Sequence, residues 1–340
     1  MSVLPTIEPE ARAVEAIRDA FPAGASIKVK QARQDVVDLE INGHEIEIKW
    51  IGDGRLGEVR QLVRSAKRYK RLIAVARRMT PGARALLAEH GIGWVDETGA
   101  AEIANGTILV SRTGRARRQK EPSLRWTSSV LATAEALMCD TPATVSAVEA
   151  ATGLSAGSST NALRTLTELG LLESDSNRGP TSGRRIANLD ALLSSYTTAA
   201  QEQPQRTELV VGALWRDPIE GVKKLGTEWT AHSVGWVVSG TIASAVLAPL
   251  LTNVESALVY IDTSTMAGLR YAAETVGLAP IEGGRLTLRP YPTVTTHRLR
   301  STLDGIHVAP WPRVYADLQH SGVRGEEAAE HLREVVTSGR

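Results

Sequence analysis

The chain has 340 residues, which is too many for one hydrophobic core, so two or three domains are expected. Apolar residues make up 42% and charged residues 23%, as in ordinary soluble globular proteins. The net charge is +1, and the single cysteine, Cys139, excludes an intramolecular disulfide framework and a cysteine-based zinc site. One cysteine fits a reducing cytoplasm, and the first residues show no signal-peptide pattern, so a cytoplasmic location is expected.

A hairpin at residues 35–50 is the most informative element near the start of the chain. Asn42-Gly43 favours a type I′ turn, and a two-residue loop sets Asp38 opposite Glu47. Side chains alternate between faces, so the apolar face consists of Val37, Leu39, Ile41, Ile46, Ile48 and Trp50. The charged face consists of Asp38, Glu40, Glu45, Glu47 and Lys49. Opposed carboxylates repel, and a divalent cation such as Mg²⁺ or Mn²⁺ would offset that repulsion.

The segment up to residue 118 is predicted to be an α/β domain. Besides the hairpin, helices are expected at residues 11–21, 55–70 and 80–90, and strands at 71–76 and 92–95. An aspartate on one hairpin strand and Glu-x-Lys on the other resemble the core of PD-(D/E)XK nucleases. The resemblance implies a restriction-endonuclease-like domain over residues 1–118. In such a domain Asp38 and Glu47 would bind Mg²⁺ or Mn²⁺, and Lys49 would orient or activate the attacking water.

Catalytic activity does not follow from this resemblance. Val37 precedes Asp38, where the family pattern has proline, and any half-exposed charged hairpin contains D…E-x-K by chance. We therefore expect a domain without bound metal or other cofactor, whose two carboxylates are solvated and far apart. An active metal-dependent site is the alternative interpretation.

Positive charge is concentrated in the first 120 residues. They contain 21 Lys/Arg and 15 Asp/Glu, a net of +6, against 5 and 8 in residues 121–200 and 13 and 15 in residues 201–340. Arg60 and Arg64 recur at helical spacing, and Arg117 and Arg118 lie in a basic linker. Such groups neutralise DNA phosphates, although a solvated helix face and a flexible linker would show the same pattern.

Residues 119–200 are predicted to form a winged helix-turn-helix. Helices are expected at residues 123–138, 144–152 and 155–169, followed by a strand, a loop and a return strand. This order resembles bacterial winged-helix regulators, which implies that the third helix enters the major groove. The predicted DNA contacts are Ser158, Ser159, Asn161 and Arg164 on that helix and Arg178, Arg184 and Arg185 in the wing. The net negative charge of this segment leaves protein contact as an alternative role.

Residues 201–340 are predicted to form a C-terminal α/β domain. Residues 237–240 lead into a helix of small residues, and a strand at 257–261 ends at Asp262, which resembles a degenerate nucleotidyltransferase core. That strand supplies one carboxylate, and nucleotidyl transfer needs a pair for two metals, so no transferase activity is expected. The apolar segment 234–254 contains polar residues and proline and is predicted to be a buried helix rather than a membrane span.

Two more helices are expected near the C-terminus, at residues 312–318 and 326–335. With the winged helix upstream, they make the chain from about residue 120 similar to AbiEi-type transcriptional regulators. That family is the antitoxin side of type IV toxin–antitoxin systems, so the resemblance implies a DNA-binding autorepressor and a toxin partner. The nuclease-like domain in front is an addition to the family pattern.

The sequence as a whole favours an α/β multidomain transcriptional regulator that binds double-stranded DNA in the cytoplasm, does not contact a membrane and has no catalytic activity. A symmetric homodimer is the usual arrangement for such regulators. Two alternatives stay open. One is a Mg²⁺- or Mn²⁺-dependent DNA endonuclease targeted by the winged helix, and the other is an interaction scaffold that binds no DNA.

Overall fold

The computed structural model describes residues 9–22, 24–33, 36–66, 69, 71–105, 108–113, 126–174, 184–203, 207–250 and 256–338. The chain divides into two compact units, Met1–Lys120 and Glu121–Arg340. Both units contain helices and sheet, so the α/β multidomain prediction is confirmed at this level. Within the described ranges, each helix is too short or too polar to cross a membrane.

The first unit is built on a mixed sheet whose described strands follow the order β1-β2-β3-β4-β5-β6-β7. Strands β3, β4 and β5 are parallel, and the other neighbours are antiparallel. Helix α1 packs on one face, against Ile48 and Val75, and helices α2 and α3 pack on the other, against Leu72 and Ala74. The elements are α1 Pro9–Ala20, β1 Ile27–Arg33, β2 Val36–Ile41, β3 His44–Trp50, α2 Leu56–Ser65, β4 Leu72–Ala76, α3 Pro81–Glu89, β5 Gly93–Asp96, β6 Ala101–Asn105 and β7 Ile108–Arg112.

The β2–β3 hairpin has the predicted turn and register. Asn42 and Gly43 have φ angles of 47° and 82°, as a type I′ turn requires. Asp38 lies opposite Glu47 in the antiparallel pair. The predicted apolar face is buried through Val37, Leu39, Ile41, Ile46 and Ile48. The hairpin prediction is therefore confirmed.

Three strands of this sheet do not follow from the sequence pattern. β1 pairs with β2 at one edge, and β6 and β7 form a hairpin at the other. The sequence of β1 contains the run Lys28-Val29-Lys30, which has no alternating buried face. Even Val29, the apolar residue of this run, is 47% exposed, because β1 lies at the sheet edge. Helix α2 also ends at Ser65, before its predicted end at residue 70.

The second unit joins a helical bundle to a mixed sheet whose described strands follow the order β10-β13-β12-β11-β15-β14. The helical bundle and the strand pair β8–β9 comprise α4 Ser128–Met138, α5 Val145–Thr152, α6 Ala156–Glu168, β8 Leu172–Ser174, β9 Arg184–Ile186 and α7 Leu189–Glu202. The remaining elements are β10 Leu209–Val211, α8 Pro218–Ala231, β11 Trp236–Ser239, α9 Gly240–Leu247, β12 Ala257–Ile261, α10 Met266–Thr275, β13 Leu286–Pro290, α11 Thr295–Arg298, β14 Ser301–Leu303, β15 Ile306–Val308, α12 Trp311–Leu318 and α13 Gly322–Ser338.

Local capping explains where the bundle helices begin and end. Thr127, Thr144 and Ser155 each accept a hydrogen bond from a backbone N–H of the helix that follows. Gly153 ends α5 in the left-handed conformation with φ of 73°. Helices α5 and α6 begin and end within one residue of their predicted bounds. Helix α4 begins later than predicted, because Thr127 has an extended backbone and caps the helix.

The segment predicted as one buried helix at residues 234–254 has a different structure. It contains the fully buried strand β11 followed by the short helix α9. Hydropathy alone does not distinguish a short buried strand from a buried helix, so the prediction of a continuous helix was wrong.

One hydrophobic core extends through the whole second unit. Core residues of the bundle, such as Leu163 and Leu193, belong to the same packed cluster as Val238 and Val314 around the sheet. Trp311 of α12 also donates its indole N–H to the backbone oxygen of Met138 in α4, at 3.0 Å. Residues on both sides of the predicted boundary at 200/201 therefore share this core.

Candidate nucleic-acid interface

Helix α6 presents a polar surface on its outer side. Asn161 and Arg164 are exposed, and Arg164 Nη2 donates a hydrogen bond to Asn161 Oδ1 at 2.9 Å. Arg164 also lies 3.9 Å from Glu168, one turn further along the helix. Exposed pairs of this kind contribute little to stability, so both side chains are available to another partner at small cost.

The two serines near the start of α6 differ in their environment. Ser158 is half-buried, and its backbone N–H donates to the capping hydroxyl of Ser155. Ser159 is completely buried, and its hydroxyl has no hydrogen-bond partner among the described residues. It belongs to the stripe that faces the core with Ala162, Leu163 and Leu166. The prediction that Ser159 lies on the polar side of the helix was therefore wrong, because one helical position turns a side chain by about 100°.

Strands β8 and β9, which lie where the wing was predicted, form an antiparallel pair. Arg185 is exposed and donates two hydrogen bonds to Glu173 on the opposite strand, at 2.9 and 2.6 Å. Arg184 is half-buried, and its backbone also bridges to Ala143. Arg178 lies in the segment between the two strands, outside the described residues. The structure therefore places one of the three predicted wing arginines on the open surface.

The basic residues of the first unit are only partly described. Arg60 is half-buried and Arg64 exposed on α2. Arg117 and Arg118 lie outside the described residues. Of the four basic residues predicted to contact DNA in this unit, the described part of the chain thus includes the two on α2.

The predicted metal-binding pair is assembled on β2 and β3. Asp38 and Glu47 face each other in register, are half-buried and each interact with other groups of the chain. Lys49 is half-buried on the same face as Glu47, two positions along β3. Both carboxylates are half-buried rather than fully solvated, and the hairpin register places their strand positions opposite each other, as predicted.

These residues provide only part of a metal site. Two neighbouring carboxylates suit a hard divalent cation. However, no group of three or more His, Cys, Asp or Glu side chains within the described ranges could hold a metal ion. The donor set thus fits one cation held by two carboxylates and water rather than a cage of protein ligands.

Among the described residues, the region predicted to resemble a nucleotidyltransferase core has no carboxylate pair at the end of β12. Ser239 lies opposite Leu258 on β12, whereas Asp262 follows the other end of that strand and is exposed. Asp317 of α12 approaches the Ser239–Gly240 turn instead, and its Oδ2 accepts from Ser239 Oγ at 2.5 Å.

Asp317 is part of a buried polar cluster that sequence analysis missed. Tyr260 Oη donates to its Oδ2 at 2.8 Å, and the Arg313 guanidinium is bound to its carboxylate. Burial by itself would raise the pKa of Asp317, but Arg313 and these hydrogen bonds hold that pKa below its ordinary value. The available signal was the spacing of Arg313 and Asp317, which lie one helical turn apart.

A second buried carboxylate, Glu135, links α4 to the C-terminal part of the unit. It accepts hydrogen bonds from Tyr196 Oη at 2.5 Å and Thr293 Oγ1 at 2.8 Å, and from Thr295. Burial raises the pKa of Glu135 despite these hydrogen bonds. A lone charge within the apolar helix Ser128–Met138 was the sequence signal for such a site.

No protein family, curated protein or solved structure matches this chain. The likenesses to AbiEi-type regulators and PD-(D/E)XK nucleases therefore stay predictions, supported by residue patterns and local geometry alone.

Proposed function

We propose that the protein is a DNA-binding transcriptional regulator without catalytic activity, which reads double-stranded DNA through α6. The observation that carries this proposal is the exposed Asn161–Arg164 face of α6, with the β8–β9 hairpin following in the same unit. Three helices followed by a two-stranded wing support the winged-helix interpretation of α4 to β9. The first unit would be restriction-endonuclease-like, and the sheet of the second unit a degenerate nucleotidyltransferase core.

The chemistry of the α6 face suits the major groove. Arginine can donate two hydrogen bonds to guanine O6 and N7, and asparagine can pair with adenine N6 and N7. The hydrogen bond between Arg164 and Asn161 orients both side chains before DNA arrives. In the wing, Arg185 would exchange its exposed Glu173 partner for a phosphate.

The resemblance to AbiEi-type regulators also implies a biological setting. An AbiEi-type autorepressor would act in the cytoplasm, as a homodimer on a symmetric operator, with a toxin as protein partner. Net positive charge in residues 1–120 would add affinity that is independent of DNA sequence and falls as salt rises.

The test begins by selecting duplexes from a random library with the purified wild-type protein. Fluorescence anisotropy then compares the selected duplex with a scrambled one. Arg164→Ala should weaken binding to the selected duplex by about tenfold or more and change binding to the scrambled duplex little. Arg270→Ala, which removes an exposed arginine from α10, is the matched control and should leave both affinities unchanged.

Two results would contradict the proposal in different ways. Equal losses on both duplexes would make Arg164 a phosphate contact without a role in reading sequence. If the wild type retained no DNA even at low salt, DNA binding itself would be excluded, and the interaction-scaffold alternative would be favoured.

A metal-dependent endonuclease is the second candidate, favoured by the facing positions of Asp38 and Glu47 with Lys49 beside them. In that case Mg²⁺ or Mn²⁺ would act as Lewis acid on the phosphodiester, and Lys49 would hold the attacking water. Supercoiled plasmid with either cation distinguishes the candidates. Cleavage that disappears in Lys49→Ala but persists in Lys28→Ala, an exposed lysine on β1, would support the endonuclease. Intact plasmid under all conditions would support the regulator.

A further inference from the structure

A small pocket of about 220 Å³ lies in the second unit, where the chain enters β11. The Ser239–Gly240 turn follows the other end of that strand and does not line the pocket. The wall includes Val234, Gly235 and Trp236 on its apolar side and His297, Arg300 and His307 on its polar side. The volume equals that of roughly seven water molecules in the liquid, which is enough for one small organic molecule. None of the residues proposed above to contact DNA lines this pocket.

Arg300 is a half-buried cation that forms no ion pair with a described carboxylate. Its Nη1 donates to the backbone oxygen of His297 at 2.8 Å and lies 2.7 Å from Nδ1 of the same residue. Its Nε and Nη2 make no hydrogen bond to the described part of the chain. These two nitrogens form one edge of the planar guanidinium, and their parallel N–H groups match the two oxygens of a carboxylate. The arginine is therefore held by Nη1 while its two-donor edge is available to a ligand.

The charge of Arg300 dominates the polar side of the pocket. Asp262 lies close by, since a Cβ built at Gly235 would be 2.8 Å from the Asp262 Cβ, but this carboxylate is exposed and forms no ion pair with Arg300. Partial burial and the charge of Arg300 lower the pKa of His297 and of His307, so both rings are neutral at neutral pH. At His297 the effect of Arg300 is larger than the opposing effect of Asp262. The pocket thus favours an anion.

Trp236 and His307 add ring surface and a further donor. Trp236 is buried, its indole N–H donates to Thr230 Oγ1 at 3.0 Å, and its ring centroid lies 4.8 Å from that of His307. Thr302 Oγ1 lies 2.9 Å from Nδ1 of His307. In the tautomer in which Nδ1 accepts from Thr302, Nε2 carries the proton and can donate to a ligand. An aromatic ring with an anionic group therefore suits this wall better than a bare inorganic anion.

Helix α11 connects the pocket to the helical bundle. His297 belongs to this helix, and Arg298 beside it donates from Nε and Nη2 to the backbone oxygens of Ala151 and Ala150, at 3.2 and 3.3 Å. These oxygens belong to the last turn of α5, the second helix of the predicted helix-turn-helix. A ligand that binds Arg300 and contacts His297 therefore acts on the segment that holds α5 in place.

We propose that this pocket binds a small aromatic carboxylate and that the bound carboxylate is an effector of DNA binding. The effector role rests on the proposed function, whereas the ligand site does not. The carboxylate accepts from Nε and Nη2 of Arg300 and from Nε2 of His307, and its ring lies against the Trp236 side of the wall. A neutral amide of the same shape presents an NH₂ group to one of these donors and carries no charge, so it binds poorly.

Fluorine NMR titrations of the full chain with 4-fluorobenzoate and 4-fluorobenzamide test the ligand site without DNA. The benzoate should bind the wild type at least about tenfold more tightly than the amide, because charge-assisted hydrogen bonds are lost in the amide. Arg300→Gln should weaken benzoate binding by about tenfold or more. Arg300→Lys, which keeps the charge without the planar two-donor edge, should also weaken it. Arg285→Gln is the matched control, because Arg285 is exposed just before β13 and does not line the pocket.

The comparison of the two probes uses the wild type alone, so it does not depend on the folding of a variant. Equal affinities for the two probes, or the same benzoate affinity in Arg300→Gln as in Arg285→Gln, would overturn the ligand site.

Fluorescence anisotropy with the selected duplex tests the effector role. Saturating 4-fluorobenzoate should change the Kd of the wild type for this duplex by about fivefold or more and should leave that of Arg300→Gln unchanged. An unchanged Kd in a protein that binds both the benzoate and the duplex would overturn the effector role. If the wild type binds the benzoate but retains no DNA, the proposed function fails while the ligand site is supported.

Discussion

Replacing Glu135 by alanine tests how the bundle is joined to the sheet of the second unit. Glu135 is fully buried on α4, and its hydrogen-bond donors Tyr196, Thr293 and Thr295 are also buried. The threonines follow strand β13, far along the chain from α4. The variant removes the acceptor that these three hydroxyl groups share.

The expected loss of stability follows from counting hydroxyl groups. Thr293 and Thr295 lie 2.6 Å apart, so one of them can donate to the other after the substitution. Tyr196 and one threonine then lose their acceptor, at a cost of about 1–3 kcal/mol for each buried group. Removing a desolvated carboxylate recovers part of this cost, so we expect the free energy of unfolding to fall by about 3 kcal/mol.

Urea denaturation at neutral pH, followed by far-UV circular dichroism, measures this loss. Glu168→Ala is the matched control, because Glu168 is exposed on α6 and should contribute less than about 0.5 kcal/mol. The reasoning is refuted if Glu135→Ala unfolds at the same urea concentration as Glu168→Ala. Because the chain has two compact units, the comparison uses the transition of Glu121–Arg340.

Three further outcomes are expected. Burial raises the folded-state pKa of Glu135 above its ordinary 4.5, so the free energy of unfolding should fall as pH rises from 4.5 through the raised pKa. Glu135→Gln has no titratable carboxyl group at this position. Its free energy of unfolding, measured by urea titrations at several pH values, should therefore lack this decrease with pH. Ser159→Ala should stabilise the protein by about 1 kcal/mol, because it removes a buried hydroxyl without a described partner, and should leave DNA affinity unchanged in anisotropy titrations. Gly226→Ala should lower stability by about 1–3 kcal/mol in thermal denaturation, because the added methyl group would overlap the ring of Trp236, and an unchanged midpoint would contradict that packing.

Local chemistry made the helix ends and the hairpin predictable. Thr80 before Pro81, Thr144, and Ser155 are capping residues whose effect depends on neighbouring backbone N–H groups alone. The β2–β3 register likewise follows from Asn42-Gly43, because a two-residue turn leaves one alignment of the strands. These features involve residues close in sequence, so one chain segment contains all the necessary information.

Edge strands and buried polar groups were less predictable. β1 and the β6–β7 hairpin complete the first sheet without a clear apolar pattern, since strands at the edge of a sheet are held largely by backbone hydrogen bonds, which leave no signature in the side chains. Ser159 differs from its neighbour Ser158 only in which side of α6 it occupies. Its burial became evident once the packing of α6 against α4 was known.

The sequence by itself determined the mixed α/β character, the hairpin register and the polar composition of α6, because turns, caps and periodicity act over a few residues. Tertiary structure decided which of these residues meet. It brought Asp317 to Ser239 and Tyr260, and Glu135 to Thr293, across long stretches of chain. Contacts of this kind depend on how helices and strands pack around a common core, and a pattern within one segment does not contain that geometry.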